Sequence, residues 1–530
     1  MCGRSLARAQ SVVTAFPKHS ERLPAAQLDR ARATPADITA LDLFCVIDAA
    51  GPFQGQTLDF ARAVIEAGAH YVDLADARDF VAAFDTLHAA AQARGVLAVT
   101  GASSTPALTH AVIDDMTRGW TRIDGVEAAI SPGNRANPLG LSVFQSILSY
   151  VGRPVRVWRH GRWAMHPGWG LTVRRRMGDL GLRWQSLVET PDLDLVPQRF
   201  PSVRNAIFRA GLELGFQHVA LLALSFLVRA GLLKSLAPFA EPLRDAAKLL
   251  RGFGSDCGGM TVDVIGVYAD GARLQTTWTL IAESGDGPKI PTLPALAIVR
   301  RLLDGRLVRR GAGACVGILD LAAIEEEFSR YDIRSARETR TLESAPLFVR
   351  QMPDFDAMPA AVRDVHACDA AAELQGRVDI EGAKNAAARL IAWFAGFPGA
   401  AHDLPASVTV EREGDGEVWI RRFGESEFLS HLGAGATRGT LTERFGPLTF
   451  DLDAASDARG FALTITRGRI GTFPLPGFLT PSTSAGAAVD EHGRYRFDVT
   501  IALPFFGRLV GYRGWLEPAS TSSSDARLLQ

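Results

Sequence analysis

Two kinds of local pattern in this 530-residue chain could do chemistry. The first is small and acidic. Ala50, Gly51, Pro52 and Phe53 follow an apolar run, Asp73 and Asp76 end a second, and Gly101, Ala102 and Ser103 follow a third. Glycine permits close backbone approach to a ligand and proline stiffens the loop that holds it. The aspartates could carry a proton, although Asp76 stands where it would cap a helix. The second pattern is basic: Arg153, Arg156, Arg159, Arg162, Arg174, Arg175 and Arg176, interleaved with Trp158, Trp163 and Trp169. No acidic residue occurs between Gln145 and Met177. Such a run is a solvated face, a surface for anionic lipid head groups or the phosphates of an acyl thioester, or a nucleic-acid contact.

Other chemistries find no support. There is no Ser-His-Asp order, no H-E-x-x-H helix and no metal-spaced carboxylate cluster, so no metal is expected and no residue is assigned catalysis. Among 11 scattered histidines, His110 and His218 read as structural. The 5 cysteines lack C-x-x-C spacing, which favours a reducing, cytoplasmic setting. With 57 basic and 58 acidic residues the chain is too balanced for a nucleic-acid partner. The N-terminus MCGRSLARAQSVVTAFPKHS has no apolar signal core. Gly215 to Val228 is strongly apolar but shorter than the ~20 residues of a membrane span. It reads as a buried helix, or as one lying in a membrane interface or lining a substrate tunnel, which would bring peripheral membrane contact.

The elements that must position these loops alternate. Leu43 to Ala49, Tyr71 to Leu74 and Val96 to Thr100 read as strands, with helices over 6 to 16, 34 to 42, 56 to 67 and 78 to 93, and another opening at Thr105-Pro106. That alternation predicts a doubly wound parallel sheet over residues 1–122. From 123 to 333 the reading is an α+β substrate domain. Its strands are Val126 to Ile130, Arg156 to Trp158, Gly170 to Val173, Met260 to Tyr268 and Ala272 to Ala282, interrupted by helical stretches at 137–151 and 203–251; a helix over Pro291 to Leu303 leads the chain back toward the first domain. Residues 343–517 read as a C-terminal α+β domain, a curved antiparallel sheet around a helix at 383–395, with a disordered tail over 518–530. Its seven strand candidates are 406–412, 417–423, 439–445, 448–453, 461–469, 495–503 and 507–517. Phenylalanines such as Phe445, Phe450 and Phe461 could line a ligand cup there or form a plain core.

GRSLARA at 3–9, VIDAAGPFQG at 46–55, HYVDLAD at 70–76 and VTGASSTPAL at 99–108, in this order, resemble the NADP-binding part of the saccharopine dehydrogenase-like family. KIPTLPALAIVRRLLDG and GAGACVGIL resemble the end of that family's second domain, so the likeness spans about residues 1 to 333. The final third, ending GRYRFDVTIALPFFGRLVGYRGWLEP, resembles the bacterial domain of unknown function 4166. The resemblance implies an NADP-dependent oxidoreductase acting on a small molecule. It implies that Arg4 and Ser5 contact a 2′-phosphate, that Ala50, Gly51, Pro52 and Phe53 pass beneath the nicotinamide ribose, and that Asp73, Ala102 and Ser103 share that edge. A branch of the family acts on lipids, so a hydrophobic substrate is expected.

One departure stands out. A dinucleotide fold opens with a strand and G-x-G-x-x-G, yet Gly3 already stands at the end of what matches the second strand. We therefore expect that the reading frame continues upstream of Met1, and that the sheet exposes an apolar edge where its first strand is missing. The alternative is a non-catalytic lipid- or metabolite-binding protein on the same scaffold.

Overall fold

The computed structural model describes residues 1–135, 141–394 and 397–519, in two compact units, 1–340 and 341–530. In the first unit, Gly311–Ala314, Leu97–Thr100, His70–Asp73 and Cys45–Asp48 form, in that order, a four-stranded parallel sheet. His70–Asp73 and Leu97–Thr100 are buried along their whole length, as apolar central strands require. The helix Asp59–Glu66 turns Phe60, Ala61, Val64 and Ile65 inward. The helix expected over 78–93 breaks at a 3-10 turn, Phe84–Leu87, because Phe84 leaves helical register to stack on Tyr71 with ring centres 5.7 Å apart. Cys45–Asp48 forms the open edge, with Phe44 49% and Ile47 43% exposed. Cys2–Gly3 pairs with Ala26–Gln27 in a separate two-stranded sheet.

The segment between Leu97–Thr100 and Gly311–Ala314 supplies eight strands of a nine-stranded mixed sheet, and Ile333–Thr341 adds the ninth at one edge. At its centre Trp120–Ser131 runs antiparallel to Gly258–Tyr268 and parallel to Asn205–Ala210. The expected helical stretch 203–251 is thereby corrected. Asn205–Ala210 is a strand, and only Gly215–Arg229 and Ala240–Leu249 are α-helical, because the apolar run at 206–208 extends a buried sheet before the helical spacing begins. The strand placed at 170–173 lies at Val173–Arg176, and Arg162–Pro167 and Leu182–Leu187 are additional strands. A helix occupies Leu141–Tyr150; the first residues of the stretch expected to be helical from 137 lie outside the described ones. Leu293–Leu303 is helical.

In the second unit the curvature runs to completion. Ten strands form an antiparallel up-and-down barrel in which each pairs with its neighbours in sequence, and Ala371–Gly382 pairs with Gly507–Pro518 to close the ring. Closure leaves none of the ten with an unpaired side. Ala371–Gly382, Ser426–Ala434 and Ser482–Val489 join the seven expected strands. A helix covers Ala386–Phe394. Beyond Ala519 the expected disordered tail lies outside the described residues. Among the described residues no helix is long and apolar enough to cross a membrane.

Candidate functional site

Three parallel strands end side by side, and the loops that leave them carry most of the singled-out residues. Asp48, at the end of the first, is buried. Its carboxylate accepts hydrogen bonds from the Ala50 amide (3.0 Å) and the Tyr71 hydroxyl (3.1 Å) and pairs with Arg30 Nε at 2.9 Å. Arg30 Nη1 donates to the Ala50 carbonyl at 2.8 Å, and its guanidinium lies 4.8 Å from the Phe53 ring centre. One arginine thus fastens the loop at both ends. It stands in a turn with no motif around it, so no sequence signal marked it. Phe53 is buried against Phe80, whereas Ala50 and Gly51 are exposed, with Pro52 half-buried. A side chain at Gly51 would meet nothing closer than Phe53 at 3.9 Å, so the space over the glycine is open.

Asp73, ending the second strand, is fully buried. Its Oδ1 accepts from the Ala75 amide (3.0 Å), the Thr100 hydroxyl (2.9 Å) and the Gly101 amide (2.8 Å), while Oδ2 is buried without a partner. Burial outweighs these bonds and pushes its carboxyl up to about 7. Its backbone carbonyl takes the Ala102 amide at 2.8 Å. Asp73 therefore clamps the Gly101–Ser103 turn from below, and Ala102 and Ser103 are buried with it. Asp76 caps no helix. The helix Arg78–Ala83 starts from Ala77 without a side-chain cap, and Asp76 instead accepts from Gln54 Nε2 at 3.2 Å.

Gln54 is the link the motifs concealed. Its Nε2 also donates to Ser146 Oγ at 2.7 Å, on the helix Leu141–Tyr150. Phe144, Ile147 and Leu148 of that helix line an apolar cavity of about 290 Å³, completed by Leu221 and Leu224 of Gly215–Arg229 and Leu243 of Ala240–Leu249. Sheet-edge loop and apolar cavity thus share one helix.

Arg4 and Ser5 are not drawn onto the four-stranded sheet. Ser5 caps the helix Leu6–Thr14, accepting from the Arg8 amide at 3.4 Å, and Arg4 is exposed beside it. His218 is a satisfied core residue, bonded to Ser186 Oγ at 2.8 Å and packed 4.8 Å from Trp169; burial lowers it to about 4. His110 is likewise buried, with Nε2 3.6 Å from the Asp192 carboxylate. Burial pushes His110 down to about 3 and Asp192 up to about 7, so the two meet as neutral groups between those values. Part of the basic run is spent internally. Arg156 pairs with Asp194 at 2.9 Å and lies over Trp163, and Arg175 pairs with Glu127. Arg153, Arg174 and Arg176 are exposed.

Residues 358–516 match the family model described as Domain of unknown function (DUF4166). No curated protein matches the chain. Among solved structures, the chain is similar to apo saccharopine dehydrogenase (L-Glu forming) from Saccharomyces cerevisiae, at 14% identity and a TM-score of 0.46 over 64% of this chain and 93% of that one. A dehydrogenase from Chromobacterium violaceum aligns at 15% identity and a TM-score of 0.24, over 53% of this chain and 66% of that one. A secretory abundant heat soluble protein from Ramazzottius varieornatus aligns at 7% identity and 0.18, over 28% and 93%. The resemblance of the final third to the domain of unknown function 4166 recurs in the family-model match.

Proposed function

We propose that residues 1–340 serve an NADP-dependent oxidation or reduction of a lipid-like substrate. The reading rests on Gln54, which ties the loop under the open face of Gly51 to the helix whose other side lines the apolar cavity. Loop 49–53, anchored by Arg30, fits the ribose–nicotinamide end of the cofactor, since Gly51 leaves room for a flat ring to approach the backbone. The amides of Ala50, Ala75, Gly101 and Ala102 already donate within the protein, so they are not a cradle for its phosphates. The cofactor would supply the hydride. The chain would place the substrate, with its apolar part among Phe144, Leu221 and Leu243 and its reacting end toward Gln54.

An anionic lipid surface is the source we assign to that substrate. Phe216, Phe226, Leu232, Leu249 and Phe253 stand exposed on and around the cavity-lining helices. Between Gly215 and Phe253 five basic residues (Arg229, Lys234, Arg244, Lys248, Arg251) outnumber two acidic ones (Glu241, Asp245). Apolar side chains within a basic segment suit a head-group interface. We expect saturable NADPH binding in the micromolar range, with NADH weaker, by quenching of tryptophan fluorescence. Absence of NADPH binding would leave the second reading, a lipid carrier on this scaffold, which the apolar cavities favour.

A further inference from the structure

The closed barrel of the second unit is hollow. Its ten strands enclose a cavity of about 680 Å³, walled by apolar side chains such as Phe423, Phe450, Leu452 and Phe497. At roughly 30 Å³ for a water-sized group, that is room for about twenty methylene-sized groups, within the range of small-molecule sites. A core built only for stability would fill such a space, because interiors pack to near-crystalline density.

Two charged side chains in the wall, Arg421 and Glu443, break the apolar pattern. On the strand Gly416–Phe423, alternate residues Trp419, Arg421 and Phe423 all face the cavity, so Arg421 occupies an inward site where its neighbours are aromatic. It is 8% exposed. Its Nη1 donates to Ser430 Oγ at 2.9 Å, and Nη2 lies 3.5 Å from Glu443, a long approach for an ion pair. Its flat faces are taken by Trp419 at 5.0 Å and Phe428 at 5.7 Å. A guanidinium carries five N–H donors, and these contacts leave most of them unfilled. Holding a charged fork inside an apolar chamber is costly unless something completes its bonds.

We propose that the barrel binds a single-headed anionic lipid, a long-chain carboxylate, with Arg421 as the head-group anchor and the chain lying along the aromatic wall. The guanidinium matches a carboxylate by two parallel N–H···O bonds, strengthened by exclusion of water. It can hold Glu443 on one edge and the ligand on another. This inference rests on the second unit alone and does not depend on the cofactor reading.

The test uses the full chain with oleate and, as the neutral head-group control, oleyl alcohol, by isothermal titration and by hydrogen exchange. We expect oleate to bind at least tenfold more tightly than the alcohol and to protect the strands Gly416–Phe423 and Ser426–Ala434. Arg421→Met should erase that tenfold preference while alcohol binding persists. Because Arg421→Met strands Glu443, the double variant Arg421→Met/Glu443→Gln, which removes both charges, should show the same loss of preference with its fold intact. Equal affinity for acid and alcohol, an unchanged preference in the double variant, or no protection of the barrel strands would each overturn the proposal. Protection confined to Leu141–Tyr150 and Gly215–Leu249 would assign the lipid to the first unit instead and overturn it equally.

Discussion

A carboxyl group sealed inside a protein behaves as a proton store, and Asp73 is such a group. Its folded value near 7 lies above the ordinary 3.8. The proton it keeps therefore favours the fold fully below pH 3.8, and that contribution is lost as pH rises to about 7, at roughly 1.4 kcal/mol per pKa unit. Asn fits the same place, because Oδ1 makes all three hydrogen bonds and Oδ2 makes none. Asp73→Asn should thus gain stability relative to the parent as pH climbs from 4 to 7, and the gap should close toward pH 4. Denaturant midpoints across that range measure it; a gap that stays flat would show that Asp73 is not the titrating group. The motif around Asp73 was legible, but its role was not. HYVDLAD suggests an acid at a ligand edge, and only three dimensions show it facing inward beneath Gly101.

Elements were readable in proportion to how far their own residues dictated them. Leu43 to Ala49 and Val96 to Thr100 are apolar β-formers and both yield strands, the second inside the sheet and the first at its open edge. Gly311–Ala314 was hidden, since GAGA has no strand propensity. It is a strand because the preceding layer presses close: a side chain at Gly311 would meet the His88 ring at 2.6 Å, and one at Gly313 would meet Asp85 at 3.0 Å. Small residues there are a packing demand, not a local preference. One missed barrel strand is also poor in local signal. Ser482–Val489 is small and polar enough to read as a loop, and its pairing with Tyr495–Leu503 decides otherwise. The 3-10 break at Phe84 carries a measurable weight. Phe84→Ala should cost about 3–5 kcal/mol, because the ring is fully buried between Tyr71 and Phe80 and its cavity cannot collapse. Thermal or urea unfolding checks this, and a loss under about 1 kcal/mol would mean that the helix re-forms through the break.

At the scale of the whole chain, the second unit owns a complete core and a closed hydrogen-bond ring. A fragment beginning at Thr341 should fold alone and melt in one cooperative transition; near-ultraviolet circular dichroism with no fixed aromatic signal would refute this. The first unit has the opposite character, for Gly311–Ala314 completes a sheet whose neighbouring strand ended at Thr100. Some two hundred residues must leave the ribosome between them, roughly 10–40 s at 5–20 residues per second. Throughout that interval Leu97–Thr100 is an unpaired parallel edge, and eight of the nine strands of the larger sheet are made before the smaller one is closed. Synthesis order therefore makes Gly311–Ala314 a latch: the nascent chain stays vulnerable to edge pairing and to chaperone capture until four small residues arrive to shut it.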